Sequence, residues 1–395
     1  MIQMPITPAA RKLEAQSESQ LVAQALARRA QRWMLEEAFP FWAERTPDPA
    51  GGFYERLDLQ GAPIAGELSR VRLQARMVFT FSLAAQLGWE PDRALAMVNR
   101  GIESLTQFCR RDDGLYGRIV QTGYGLVDDT AETYDTAFAL LALSKAANQF
   151  GLEVAYDAGA ALNLAIDRKL KLAGRESGFR ERLPAPLIRE QNPHMHLTEA
   201  SLAWFEATGD QAALDRALSI IDFVHAKFFN ADTGILFEFS GGAGPDNHIE
   251  TGHLFEWVWI LGRLRQVSPH SRQDFADALY DGGMRLLEGF DYLPLSQNCD
   301  GSVREAVQRT WGPTEKLKAH IAHWRVHPSD ELAQLVIQTA QGLFADHVDH
   351  ALPGAWVDAI APDRRSMIKD ITPATGYHIF LALQELIAFA DELNT

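Results

Sequence analysis

Two histidine–glutamate pairs of equal spacing stand out in this chain of 395 residues. They are His196 with Glu199, in NPHMHLTEASLAWF, and His253 with Glu256, in ETGHLFEWVWIL. A three-residue step puts both side chains of a pair on one face of a helix. The residues around each pair are apolar and aromatic, so that face is expected to point into protein. Titratable groups on the buried sides of two comparable helices suggest one shared site. The alternative, two polar residues satisfying each other in a core, suits a single pair better than a repeated one. Histidine titrates near neutral pH and serves as general acid or base. A nearby glutamate can hold its tautomer, and an arginine beside the reacting oxygen can stabilise a developing enolate. Such a set fits proton abstraction next to a carbonyl.

The elements that must carry these residues are helical. Periodicity and Gly, Pro, Asp and Asn punctuation place helices near 18–41, 69–88, 92–111, 130–149, 153–172 and 194–208, then 211–229, 249–266, 271–289, 302–322, 329–347 and 374–392. The unusual polar residues fall on the even-numbered stretches: Arg72 and Arg76, Tyr134 and Asp135, His196 and Glu199, His253 and Glu256, Trp311 and Glu315, and His378. Arg76, Asp135, His196, His253, Glu315 and His378 follow one another at steps of 57 to 63 residues. A near-fixed step of one helical hairpin signals a repeat architecture. The expected fold is all-α, an (α/α)6 barrel of six helical hairpins over residues 1–395 as one domain, with 1–16 as an N-terminal extension. Even helices would form the inner wall. The odd ones, such as AQALARRAQRWMLEEAF, are amphipathic and would face solvent.

With the first turns of the even helices at one rim, Arg72, Arg76, His196, Glu199, His253, Glu256, Glu315 and His378 would converge. Trp257, Trp259, Trp311, Tyr54, Tyr377 and Phe380 could supply aromatic walls, which suits a sugar. Two other chemistries compete. Histidine and glutamate three apart are found in di-iron bundles, but the order there is Glu-x-x-His, so no metal or other cofactor is expected. A glycosidase could use Glu256 and Glu315 but leaves three histidines unexplained. His194, His248, His320, His323, His347 and His350 read as surface or loop residues. The net charge of −15 argues against nucleic-acid and anionic-membrane partners. Two distant cysteines, Cys109 and Cys299, and no apolar signal core or spanning run fit a cytoplasmic protein, monomeric or homodimeric.

Seven pieces in order, GGFYERLD, RVRLQARMVF, ETYDTAFALLAL, NPHMHLTEA, ETGHLFEWVWIL, RTWGPTEKL and GYHIFLALQE, resemble the N-acylglucosamine 2-epimerase superfamily of sugar epimerases and isomerases. The resemblance spans about residues 51–390 and implies an (α/α)6 barrel. It implies that His253 and His378 are the acid–base pair at C1 and C2 of an open-chain sugar, and that Arg76 contacts the carbonyl or enediolate oxygen. His196 and Glu256 would assist ring opening or binding. Trp311, Glu315 and Tyr54 match sugar-contacting positions, and Glu199 and Asn192 are further substrate-binding candidates. The eighth-helix motif reads Thr251-Gly252-His253 where the family often has PGH, and VRLQAR matches the N-acylglucosamine version only in part. The sequence is nearer the monosaccharide branch. The expected activity is aldose–ketose isomerisation, D-mannose to D-fructose, through a cis-enediolate. A 2-epimerase and a non-catalytic sugar-binding barrel are the alternatives.

Overall fold

The computed structural model describes residues 18–172, 178–184, 189–349 and 352–394. The expected extension at 1–16 and His350 lie outside them. The chain opens with α1 (Glu18–Arg32), which continues through a π-helical turn, Trp33–Ala38, into α2 (Phe39–Arg45). There follow α3 (Val71–Gln86), α4 (Pro91–Phe108), α5 (Thr133–Phe150), α6 (Glu153–Lys169), α7 (Asn192–Thr208) and α8 (Gln211–Lys227). The remainder are α9 (Thr251–Val267), α10 (Gln273–Leu286), α11 (Trp311–Trp324), α12 (Asp330–Leu343) and α13 (Gly376–Glu392). All twelve expected stretches are helical. The tenth begins at Trp311, not near 302. The preceding residues are instead drawn into strand pairs, Val303–Glu305 with Ser296–Gln297 and Gln308–Arg309 with Ala359–Ile360.

Helices α3, α5, α7, α9, α11 and α13 touch in sequence, and α13 returns to α3. Outside them α4, α6, α8, α10 and α12 each pack on the preceding inner helix, and α1 packs on α13. The result is an (α/α)6 barrel. Burial separates the two layers. In α3, every residue from Val71 to Ala84 except Arg72 is buried, as befits a helix enclosed on all sides. In α4 the buried set, Ala94, Val98, Gly101, Ile102, Ser104 and Leu105, keeps the spacing of a single stripe. Close approach of the layers needs glycine: a Cβ on Gly159 of α6 would come within 2.3 Å of the Trp204 ring on α7.

The inner helices are all entered from one end, through short β-bridges that form a second ring. The segment before α3 pairs with the one before α5, Ser69 against Val120. The segment before α5 pairs with the one before α7, Ala131 against Leu183. Around the circle follow Glu190 against Phe239, Ile249 against Gln297 and Gln308 against Ile360. Leu57 against Ile371 closes it. The bridges pair backbone groups of the segments that lead into the inner helices.

Three histidines expected at the surface are buried. His194 accepts from Phe179 N–H at 3.1 Å, and its Nδ1 lies 2.8 Å from the Glu190 carbonyl. His320 lies 2.7 Å from the Tyr280 hydroxyl, and His347 Nδ1 lies 2.7 Å from the Val357 carbonyl. Each has found a local polar partner, the condition for burying an imidazole. The inter-layer joint at Arg216 on α8 works similarly: it is buried, donates to Ser201 Oγ at 2.9 Å and to Asn163, and pairs with Asp167 at 3.2 Å. Arg216→Met leaves Ser201 and Asn163 without this partner. Urea denaturation is expected to reveal a loss of about 2–3 kcal/mol.

Candidate active site

The first two turns of the six inner helices converge on one cluster. Arg76 from α3 donates to the Tyr134 hydroxyl on α5 at 3.0 Å and to the Ala374 carbonyl ahead of α13 at 3.2 Å. Its guanidinium lies 4.1 Å from the Phe138 ring centre. From α7, His196 Nδ1 sits 3.4 Å from Glu199 and 3.9 Å from Glu256 of α9. Glu199 also accepts from the Tyr377 hydroxyl on α13. His253 of α9 lies flat on Trp311 of α11, ring centres 4.9 Å apart at 27°. His378 of α13 lies 6.2 Å from the same indole, so Trp311 joins the two histidines. The stacking needs a glycine before His253: a Cβ on Gly252 would meet the Trp311 ring at 2.3 Å.

Burial and charge divide the histidines. For His253, burial opposes the imidazolium, but Glu238 and Glu250 outweigh it and lift its pKa to about 10. Its Nδ1–H donates to Glu238 at 2.8 Å. For His378, burial, with Arg76, Lys318 and His196 nearby, pushes the pKa well below the usual histidine value. Its Nδ1 lies 2.8 Å from Glu315 Oε1, and an Nδ1–H donated to an ionised Glu315 leaves Nε2 with the free lone pair. His196 is also held neutral, burial lowering it to about 4 against the pull of Glu199. Burial, then Glu315, raises Glu256 well above the usual carboxylate range. These surroundings favour a charged His253 and a neutral His378 at neutral pH, two histidines pushed apart by their neighbours.

The structure brings Arg76, His196, Glu199, His253, Glu256, Trp311, Glu315 and His378 together. The pairing within the cluster differs from the sequence expectation: the carboxylate hydrogen-bonded to His253 is Glu238, while Glu256 lies toward His196. Asn192 opens α7 and lines a cavity of about 240 Å3 at the mouth with Arg72, Tyr134 and Arg182. Tyr54 lies on the segment before α3, its N–H donating to Thr46; among the described residues no contact joins it to the cluster. Trp257 is enclosed and donates to Gln191 at 2.8 Å, and Phe380 packs outward on Phe39 and Trp356. Sequence reasoning missed Glu238, Gln191 and Lys318. Glu238 stands in the turn GILFEF, where a carboxylate among aromatics was the available signal. Gln191 donates to both of its oxygens at 3.1 Å.

His196, Glu199 and Glu256, or Glu256, Glu315 and His378, could hold a metal by donor type. A cation already serves them: Lys318 Nζ is 2.6 Å from Glu315, and its charge also faces Glu256 and Glu199. The raised pKa of His253 has a stability consequence. The group stabilises the fold fully below its unfolded pKa near 6.5, and this contribution is lost as pH rises toward 10. Glu238→Gln removes the largest cause of the upward shift. The gap in unfolding free energy between wild type and variant is therefore expected to be widest near pH 6 and to narrow toward pH 10. Urea titrations across that range check it.

Among the described residues no helix is long and apolar enough to cross a membrane. The sequence pattern of the N-acylglucosamine 2-epimerase (GlcNAc 2-epimerase) family matches residues 52–382. A mannose-6-phosphate isomerase from Rhizobium meliloti (strain 1021) is 30% identical over 372 residues, 90% of this chain and 95% of the relative. A D-mannose isomerase from Marinomonas mediterranea is 24% identical over 388 residues, 89% of this chain and 95% of the relative. The cellobiose 2-epimerase structure from Spirochaeta thermophila superposes with a TM-score of 0.85 at 18% identity, covering 96% of this chain and 100% of that one. The chain belongs to the N-acylglucosamine 2-epimerase family and is an isomerase or epimerase acting on a small sugar.

Proposed function

We propose that the enzyme interconverts an unphosphorylated aldose and its ketose, D-mannose and D-fructose being the favoured pair. The observation that carries this reading is the pair of histidines beside Trp311, His253 within 2.8 Å of Glu238 and His378 within 2.8 Å of Glu315, in surroundings that favour the charged form of the first and the neutral form of the second. A bound pyranose opens as the His253 imidazolium protonates the ring oxygen, the C1–O5 bond breaks, and the anomeric O1–H proton passes to His253, which restores the imidazolium and leaves the C1 carbonyl. Neutral His378 then takes the C2 proton through Nε2, and the C–H electrons form the C1–C2 double bond. The carbonyl oxygen becomes an enediolate oxygen beside Arg76, whose fixed charge stabilises it without reorganisation. His253 passes a proton to O1 and receives one from O2. Return of the His378 proton to C1 yields the ketose. Return of a proton to C2 from the opposite face would yield the 2-epimer through the same intermediate. Tyr134, Tyr377 and Glu199 hold the surrounding groups, Trp311 offers its face to the sugar, and His196, Glu256 and Asn192 supply further polar contacts. The chain's length-wide similarity to a D-mannose isomerase supports isomerisation.

Proton nuclear magnetic resonance of mannose, fructose and glucose incubated in D2O tests the reaction. Fructose formed from mannose is expected to carry deuterium at C1. Glucose labelled at C2 would indicate epimerisation, and absence of turnover on all three would reject the reading. His378→Asn and His253→Asn are each expected to lower kcat at least about 100-fold.

The charges at the mouth favour an uncharged sugar over a phosphosugar. Arg72 is held by Asp135 at 3.4 Å, Arg309 by Asp358 at 2.6 Å and Arg56 by Glu67 and Asp370 at 2.8 and 3.2 Å, and Arg70 pairs with Glu55. A phosphate would have to compete with those carboxylates or meet their repulsion. Mannose 6-phosphate is expected to react with kcat/KM at least about tenfold below that of mannose, a difference of about 1.4 kcal/mol in transition-state binding. A coupled assay of the two sugars measures it.

A further inference from the structure

Lys318 lies one helical turn beyond Glu315 on α11 and is fully buried. Its ammonium is 2.6 Å from Glu315 Oε2 and 4.0 Å from the Trp259 ring centre, with the Tyr377 ring at 5.9 Å. Glu315 Oε1, in turn, lies 2.8 Å from Nδ1 of His378. Ammonium, carboxylate and imidazole thus form a line that ends on the proposed base. The geometry points to Lys318 as a positioning residue for proton transfer: it keeps Glu315 ionised, and ionised Glu315 holds His378 in the tautomer with its lone pair on Nε2.

The surroundings make the lysine necessary for this arrangement. Three carboxylates face it from three helices: Glu315 on α11, Glu256 on α9 and Glu199 on α7. Burial, with Glu315 adding to it, raises Glu256, and burial, with Lys318 opposing, raises Glu315. Around His378 stand Arg76 from α3, His196 and Glu199 from α7, Glu315 and Lys318 from α11, and Tyr377 beside it. Removing the ammonium leaves buried carboxylates without that cation, and Glu315 takes up a proton. A protonated Glu315 no longer requires a donor at Nδ1. His378 then populates the Nε2–H tautomer, which has no lone pair at the working nitrogen. The cation–π contact with Trp259 fixes the ammonium without giving it a further hydrogen-bonding anion.

This inference rests on His378 being the base, and the experiments separate the two claims. In Lys318→Met, kcat at pH 7 is expected to fall about 100-fold with KM changed less than about threefold, the scale of losing a residue that orients a functional imidazole. The acid limb of the kcat/KM profile is expected to move up by at least about one pH unit, because Glu315 must now ionise unaided. Lys318→Arg keeps the charge and is expected to restore most of the rate and the wild-type profile. A Lys318→Met profile with the wild-type shape, or an arginine variant no better than methionine, overturns the inference. Should Lys318→Met fail to fold, the full-length wild type with 15N-labelled histidine supplies the test, with the His378 signal assigned against His378→Asn. The Nδ1–H tautomer through neutral pH supports the inference, and the Nε2–H tautomer overturns it. Full turnover by His378→Asn overturns both claims, whereas an unshifted Lys318→Met profile beside an inactive His378→Asn overturns this one alone.

Discussion

The structure depends on burying charge at the centre of a helical ring. Closing six inner helices brings their first turns together, and with them histidines, carboxylates, arginine and lysine that are almost wholly removed from water. An ionised group in such a place is tolerated only when another charge or a set of hydrogen bonds replaces the lost solvent. The cluster meets this condition by linking helices: Asp135 of α5 holds Arg72 of α3, Glu315 of α11 holds His378 of α13, and Glu199 of α7 accepts from Tyr377 of α13. The contacts that make the charges tolerable also fix the groups proposed to react relative to one another. Preorganisation and polar satisfaction are here one set of bonds.

The ring of β-bridges gives this cluster its frame. An inner helix can bring its first turn to the mouth only if its entrance is aimed correctly, and each entrance is tied to the next one round. Because Leu57 and Ile371 close the circle, no entrance stands at a free edge. The outer helices meanwhile pack on the inner ones, α4 through a single apolar stripe. The division of labour is spatial: the outer layer supplies packing, the bridges supply aim, and the inner first turns supply chemistry.

Much of this was legible in the sequence because two periodicities coincide. The 3.6-residue rhythm marks helices, and the step of about sixty residues marks which helices carry polar residues where the core is expected. His196, His253, Glu315 and His378 could therefore be placed on one wall before any contact was known. Partner choice was not legible. His253 has Glu256 one turn away on its own helix, yet its hydrogen bond goes to Glu238 in a preceding turn, a contact that exists only once α9 is seated beside that turn. Lys318 falls in EKLKAH, where two lysines near one glutamate resemble a solvated face, and only the closed ring encloses it. His194, His320 and His347 looked superficial for the same reason: their partners are backbone carbonyls and hydroxyls that no pattern of side chains announces.

Under the proposed mechanism, the same difference in partners lets one residue type serve as both acid and base. His253 faces Glu238 and Glu250, and the net negative surroundings hold its proton against the effect of burial. His378 also touches a carboxylate, but Lys318 is already paired with Glu315, and Arg76 stands close by. The same imidazole–carboxylate contact therefore has opposite outcomes, depending on whether a cation reaches the carboxylate first. Sequence spacing alone cannot express this, since both histidines sit in the first turn of an inner helix and both can find a glutamate. The division arises beyond those glutamates: a buried ammonium on α11 pairs with Glu315, and among the described residues no lysine or arginine pairs with Glu238. The proposed enediolate reaction needs a proton delivered to oxygen and another withdrawn from carbon at the same pH, and unequal neighbours let two histidines meet both demands.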